Sequence, residues 1–265
     1  MTASYPDKVL SYKTYESIGH FAKSRLGPKD KHISPNIEKS MTFELPNQQS
    51  LVIVQEKLDG SNVCVVKKDG KLIALSRNGF DCASSNQIQH LAFNEFMHHY
   101  YVTFDRLLQE GDRIVGEWLM LAHGTKYTVA HPLELFVAFD LFSSRYGEAR
   151  VKISEPPIHC PPLVTRAPFL EFIRRVSPFF RTPHVIHMGG ACSVGRAERL
   201  MSASHPNYDY EGFVYRIEES GVFKSMAKYV KHDKVDGKYL IGQGEPGFEF
   251  TWNFAPNIEK KENND

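Results

Sequence analysis

Glu56-Lys57-Leu58-Asp59-Gly60-Ser61-Asn62 joins two apolar runs, Leu51-Val52-Ile53-Val54 before it and Val63-Cys64-Val65-Val66 after it. Both runs have the length and β-branched content of buried strands. Beyond the second, Lys68-Asp69-Gly70-Lys71 predicts a tight hairpin turn into Leu72-Ile73-Ala74-Leu75. Lys57 therefore falls at a strand end beside a glycine-containing bend, where a side chain can face a cleft. That placement suits a lysine that attacks a phosphorus atom.

The 265 residues are enough for a sizeable core in one large domain or two small ones. A hydrophobic share of 42% and a charged share of 24% are those of an ordinary globular protein. Net charge is only +1, so contact with a nucleic acid would need a local concentration of Lys and Arg. Cys64, Cys82, Cys160 and Cys192 show no paired Cys-x-x-Cys spacing, and Cys64 falls in a predicted buried strand. Reduced thiols in a cytoplasmic protein are expected. The N-terminus lacks the apolar core of a signal peptide, and no apolar run approaches a membrane span.

Residues 1–40 form a basic segment, with Lys13, Lys23, Arg25, Lys29, Lys31 and Lys39 interleaved by Tyr12, Tyr15 and Phe21. Two readings stand for it: a solvated packing segment, or an edge that faces nucleic acid. Gln87 to Gln109 has helical spacing through Leu91, Phe93, Phe96, Tyr100, Phe104 and Leu107. Arg113–Trp118 and Leu135–Phe142 are strand candidates, and Pro156, Pro157, Pro161 and Pro162 break the pattern. Short helices are predicted over Phe169–Val176 and Gly195–Ala203, then strands at Glu211–Arg216 and Lys228–Lys231. The tail, 256–265, is polar and expected to fray. These elements predict one α+β domain over 1–265 with large antiparallel sheets.

A lone Lys-x-Asp-Gly arises by chance. Here it is followed in order by Ser76-Arg77-Asn78-Gly79, Gly116-Glu117-Trp118, Phe136–Asp140, Glu211-Gly212-Phe213-Val214 and Lys228-Tyr229-Val230-Lys231. Each polar member falls at a strand or strand end, where a sheet can aim it into one groove. This series resembles the covalent nucleotidyltransferases: ATP-dependent DNA ligases, RNA ligases and mRNA-capping guanylyltransferases. Glu56 ahead of the lysine, Asn62 after Gly-Ser and the lone Glu117 most resemble the nick-sealing phage type of RNA ligase. The resemblance covers roughly residues 10 to 240.

The resemblance implies an ATP-grasp-like ligase core, with antiparallel sheets flanking a nucleotide cleft. It implies that Lys57 attacks the α-phosphorus of ATP, expels pyrophosphate and holds AMP. A protonated lysine is a poor nucleophile, so Lys228, Lys231 and a divalent metal are expected to supply the cations that lower its pKa. Lys228 and Lys231 would also neutralise the α-phosphate, Lys228 being the favoured one. Glu211 would help to hold magnesium, with manganese an alternative. Glu117 would take the ribose hydroxyls, with Gly116 allowing close approach, and Arg77 would contact the ribose. Asn62 would reach the α-phosphate and Glu56 would accept from the adenine amine. Phe139 and Val214 would cover the two base faces, Phe136 having the opposite pleat parity. Asp59 would serve the later transfer step or shape the turn. His184, His187 and Cys192, or His159 and Cys160, match no common zinc spacing.

The implied substrate is RNA with 5′-phosphate and 3′-hydroxyl ends, joined through an adenylylated end in RNA repair or processing. Few residues follow Lys231, so no OB-fold domain is expected there, and a protein partner in place of the absent C-terminal domain is plausible. The alternatives are a DNA ligase, a capping guanylyltransferase, or a non-catalytic nucleotide- or RNA-binding module. No membrane partner is expected.

Overall fold

The two apolar runs beside Lys57 are strands, but they belong to different sheets. The computed structural model describes residues 7–146, 164–245 and 247–254. The four predicted chain-breaking prolines, His159, Cys160 and the tail lie outside them. An extended segment runs into a short strand, β1 (Gly19–His20), and then helix α1 (Pro35–Thr42). Proline at the first helical turn and a Ser34 side chain that accepts from Ile37 N–H start that helix. Next come β2 (Ser50–Lys57), β3 (Ser61–Lys68) and β4 (Lys71–Ser76). Positive φ at Asp69 and Gly70, 51° and 72°, closes the β3–β4 hairpin at the predicted turn.

The expected long helix is two: α2 (Ile88–His99) and α3 (Tyr101–Leu107). They break at Tyr100, which leaves helical geometry (φ −101°, ψ 24°) while its ring packs 4.6 Å from that of Phe96. The chain continues through β5 (Arg113–Trp118), β6 (Phe136–Ser143), β7 (Thr165–Arg166), α4 (Phe169–Val176), β8 (Val185–Gly189) and α5 (Val194–Ser204). β9 (Gly212–Glu219) turns at Ser220 and Gly221, both at positive φ, into β10 (Val222–Val230). β10 begins six residues before the expected strand and ends before Lys231. Lys224 and Ser225 hide its apolar pattern.

Among the described residues the strands form two five-stranded sheets. The order is β1-β10-β9-β2-β8 in the first and β4-β3-β5-β6-β7 in the second. Every pairing is antiparallel except β1 with β10. This is the expected α+β arrangement. Val52 and Val54 of β2 pack with Met41 of α1 and Ala197 and Met201 of α5. Val63 and Val65 of β3 pack instead with Phe93, Phe96 and Phe104 of α2 and α3 and Phe172 of α4. The alternate β3 residues, Cys64 and Val66, meet Tyr15, Phe139 and Met226 in a third cluster. Period-two alternation thus gives each strand two buried faces.

A buried ionic network joins the sheets. Arg216 of β9 and Arg166 of β7 both pair with Asp140 of β6, at 3.3 and 2.5 Å, and Arg216 also pairs with Glu218. Tyr15 Oη donates to Asp140 at 3.1 Å. The N-terminal segment therefore packs onto both sheets. Thr14 N–H bonds Arg77 O, and Phe21 N–H bonds Lys228 O.

Candidate active site

Leu58-Asp59-Gly60 carries the chain from the end of β2 in one sheet to the start of β3 in the other. The bend is tight because Gly60 lies under the backbone of Trp118, where an added Cβ would fall 2.6 Å from the carbonyl oxygen. Two groups fix it: Glu117 Oε1 accepts Gly60 N–H at 3.0 Å, and Tyr127 Oη accepts Asp59 N–H at 2.9 Å. Lys57 is thereby left at the mouth between the sheets.

A cavity of about 550 Å³ opens there. The first sheet contributes Glu56, Lys57, Val214 and Lys228 to its lining, and the second contributes Asn62, Glu117 and Phe139. Arg77, one residue past β4, completes the predicted set on this wall. A smaller cavity of about 170 Å³ shares Lys57 and Lys228 and adds His20, Asp30, Asp59 and Glu211. The structure thus gathers ten of the eleven predicted site residues, Lys57 among them, in the lining of these two cavities.

Lys231 lines neither cavity. It lies three residues from Lys228, an odd offset just past the strand end, and its ammonium meets Asp233 at 3.4 Å and the Tyr210 ring at 4.7 Å. The cations expected to lower the Lys57 pKa do not prevail either. Burial pushes that ammonium down, but Glu211, Glu117 and Asp59 outweigh it, and the pKa is raised. Lys57 Nζ donates to Glu211 and to Leu58 O, so it rests as an ammonium ion. Lys228 shows the opposite direction, lowered by burial and by the charge of Lys57.

The carboxylates divide by their partners. Glu211 immediately precedes Gly212, whose register partner is Lys57, which explains their contact. Burial raises Glu211, while Lys57 opposes the shift. Burial also pushes Glu117 up to about 7, against the pull of Lys57 and the Gly60 N–H. Asp59 Oδ2 accepts the N–H groups of Gly124 and Thr125 at 2.6 and 2.8 Å, so it ties the bend to a neighbouring loop. Glu56 lies on the opposite pleat from Lys57; its carboxylate accepts from Tyr208 Oη at 2.6 Å, and burial raises it. Its Oε2 is buried with no hydrogen bond and stands 3.6 Å from His184 Nδ1.

Phe139 lines the cavity, whereas Phe136 is wholly buried in the helix-side core, as pleat parity requires. Tyr15 meets the Phe139 ring edge-on at 5.0 Å. Gly116 permits close approach to β6: an added Cβ would lie 2.4 Å from Phe136 Cε2. Arg77 is fixed from the N-terminal segment, with Nη2 donating to Ser17 Oγ at 3.0 Å.

Two observations bear on a nucleotide and a metal ion. Glu56 Oε2 is a buried acceptor without a partner on a residue that lines the large cavity, which suits an N–H donor of a ligand. Among the described residues no three metal-ligating side chains converge. Glu211, with Asp59 facing the same small cavity, suits a hard cation that keeps most of its waters.

Sequence reasoning missed Tyr15, His20, Asp30 and Met226, all of which line one cavity or the other. The even spacing of Met226 and Lys228 on one strand was the available signal for Met226. The others lie in the Lys-rich segment, where nothing local separates a buried polar residue from a solvated one. His184 stacks on His205 with ring centroids 4.3 Å apart, and His187 Nε2 lies 2.8 Å from Gly190 O.

A family model described as RNA ligase matches residues 50–230 of the 265, which includes Lys57, Glu117, Glu211 and Lys228. The chain belongs to the RNA ligase family. No curated protein matches this RNA ligase family member. Among solved structures it is similar to an archaeal ATP-dependent RNA ligase at 16% identity and TM-score 0.47, over 82% of this chain and 48% of that one. It is also similar to a Naegleria gruberi RNA ligase variant with ATP and Mn, at 15% identity and TM-score 0.46, over 84% and 60%. A mycobacterial DNA ligase D with ATP and MES matches at 13% identity and TM-score 0.37, over 71% and 57%. The chain spans about half the length of the archaeal ligase, 48%.

Proposed function

We propose that this chain is an ATP-dependent RNA ligase that joins 5′-phosphate and 3′-hydroxyl ends through a lysyl-AMP intermediate. The observation that carries the proposal is the position of Lys57. It stands at the crossing between two sheets, in the wall of a cavity shared with Asn62, Arg77, Glu117, Phe139, Val214 and Lys228. The match to the RNA ligase family model supports it.

In this reading Phe139 and Val214, one from each sheet, enclose the adenine, and Glu56 accepts from its amine. Glu117 and Arg77 hold the ribose. Asn62 and Lys228 hold the α-phosphate, where fixed positive charge stabilises the transfer. Lys57 gives up a proton to solvent and the hold of Glu211, and Nζ then bonds to the α-phosphorus, losing a second proton to solvent, as the bond to the pyrophosphate oxygen breaks. A 5′-phosphate oxygen next takes the AMP from Nζ, breaking the phosphorus–nitrogen bond. A 3′-hydroxyl oxygen, losing its proton, bonds to that 5′-phosphorus and AMP leaves. Glu211 would hold a magnesium or manganese ion, which would supply positive charge at the phosphates when bound. Asp59 keeps the bend in shape through its loop contacts.

RNA repair or processing in the cytoplasm is the setting this reading implies, with a protein partner adding RNA-binding surface. Among the described residues no helix is long and apolar enough to cross a membrane. Intact-mass measurement after ATP and magnesium tests the chemistry. The expected result is a gain of one AMP, absent in Lys57→Ala and absent with GTP. No adduct in folded protein freed of bound AMP refutes it and favours a binding module. A GTP adduct points to a guanylyltransferase, and sealing of DNA nicks alone would reassign the substrate.

A further inference from the structure

His20 and Asp30 of the N-terminal segment line the small cavity beside Lys57, and Ser24 backs His20. His20 is the register partner of Lys228 in the parallel pairing of β1 with β10. Its ring is almost fully buried, with 2% of the side chain exposed. Ser24 Oγ lies 2.7 Å from His20 Nδ1 and accepts Val230 N–H at 2.9 Å. A ring hydrogen on Nε2 suits the carboxylate beside it, Asp30 Oδ2 at 2.9 Å, and leaves Nδ1 to accept from the Ser24 hydroxyl, which also lies 3.3 Å from Arg25 O. The Nε2–H points off the line to the carboxylate oxygen, so the contact is one of charge and dipole. Gly27 N–H donates to the same Oδ2 at 3.0 Å. Oδ2 is thus fixed twice, and Oδ1 is left facing Lys228 Nζ at 3.5 Å.

We propose that Asp30, backed by His20 and Ser24, is a positioning residue that holds the Lys228 ammonium at the border of the two cavities, beside Lys57. Its role in catalysis rests on the adenylylation reading above. A lysine ammonium rides on a flexible stem and sits where its neighbours' charges put it. Lys57 from β2, Glu211 from just before β9 and Asp30 from the loop after β1 act on the charge of Lys228, and His20 of β1 lines the same cavity. Arg25, Asp59 and Asp236 line it too, but Arg25 and Asp236 pair with each other, and Asp59 Oδ2 is taken by the Gly124 and Thr125 N–H groups. Lys57 repels it, and Glu211 is already committed to Lys57. His20 is neutral at pH 7, because burial and the charge of Lys228 push it down to about 4. Asp30 is therefore the carboxylate available to set where Lys228 stands. The order of attachment is backbone to Ser24, Ser24 to His20, His20 and Gly27 to Asp30, and Asp30 to Lys228. The substrate-facing cation is thereby tied to a segment nearly two hundred residues away in sequence.

The test combines NMR titration of isotope-labelled lysine with single-turnover adenylylation of Lys57. The Lys228 signal is assigned by its loss in Lys228→Arg. In Asp30→Asn the Lys228 ammonium should titrate at lower pH than in wild type. Asp30→Glu should largely restore it, and His20→Gln should shift it less. The adenylylation rate should fall about 10- to 100-fold in Asp30→Asn, with little change in the half-saturating ATP concentration. That loss should vanish in a Lys228→Met background, as coupled residues require. An unchanged Lys228 titration in folded Asp30→Asn overturns the proposal, as does full additivity with Lys228→Met. If Asp30→Asn fails to fold by thermal melt, His20→Gln carries the same test. Should wild type form no adduct while Lys228 still shifts, the pairing stands and the adenylylation reading falls.

Discussion

Replacing Glu117 with glutamine should make the protein more stable while removing activity, and only above neutral pH should the stability gain be full. The Glu117 carboxyl is raised from 4.5 to about 7, chiefly by burial. A carboxyl whose folded pKa is raised binds its proton more tightly folded than unfolded. Below 4.5 both states are protonated and nothing is lost. Between 4.5 and about 7 the unfolded chain ionises first, so stability falls as pH rises, and above 7 the full cost is present. At about 1.4 kcal/mol per pH unit the gap amounts to roughly 3 kcal/mol. The side chain retains some solvent contact, which lowers the expected cost to about 1–3 kcal/mol. Glutamine keeps an oxygen for the Gly60 N–H that Glu117 now accepts at 3.0 Å. In a domain of this size the gain corresponds to a melting temperature about 2–10 °C higher. Thermal melts of both proteins at pH 5 and pH 8.5, without nucleotide, measure it. A gain of equal size at both pH values, or a loss at pH 8.5, would refute the assignment of a destabilising buried charge.

Lys228→Ala should slow Lys57 adenylylation about 100-fold or more, the scale for loss of one fixed positive donor. Lys231→Ala should stay within about threefold, since that ammonium is turned toward Asp233 and Tyr210. Parallel single-turnover assays decide between the two lysines, and equal losses would contradict the placement. Asp140→Ala should destabilise the fold by about 3–5 kcal/mol, because it strips the wholly buried partner of Arg216 and Arg166. Urea unfolding midpoints report this, and a change below about 1 kcal/mol would mean that the network contributes little.

The fold was legible where period and punctuation agreed. The strands around Lys57 and the Asp69-Gly70 turn carry two independent signals, an apolar run and a residue pair that tolerates positive φ, and both appear as read. The start of β10 is hidden because Lys224-Ser225 separates Val222 and Phe223 from Met226, and the turn at Ser220-Gly221 is the signal that marks it. For the site, the residues on strand ends were readable because pleat parity says which of two neighbours faces a cleft. Parity separates Phe139 from Phe136 and Lys228 from Lys231. It could also have warned that Glu56 and Lys57 point to opposite faces of β2. His20 and Asp30 were not readable by any local rule. Their burial is decided by a parallel pairing with β10, a contact between segments some two hundred residues apart in sequence.

The same interaction that makes the bend also charges the site, which is why fold and function were read from one motif. The Gly60 N–H needs an acceptor because the bend leaves it outside both sheets, and Glu117 supplies one from β5. That choice places a carboxylate beside Lys57, and Glu211 is brought alongside by the β2–β9 register. Lys57 is consequently held as an ammonium ion rather than a free amine. A neutral acceptor at 117 would close the bend equally well, so the carboxylate there is explained by the site and not by the turn. The melts of Glu117→Gln measure what the fold gives up for it.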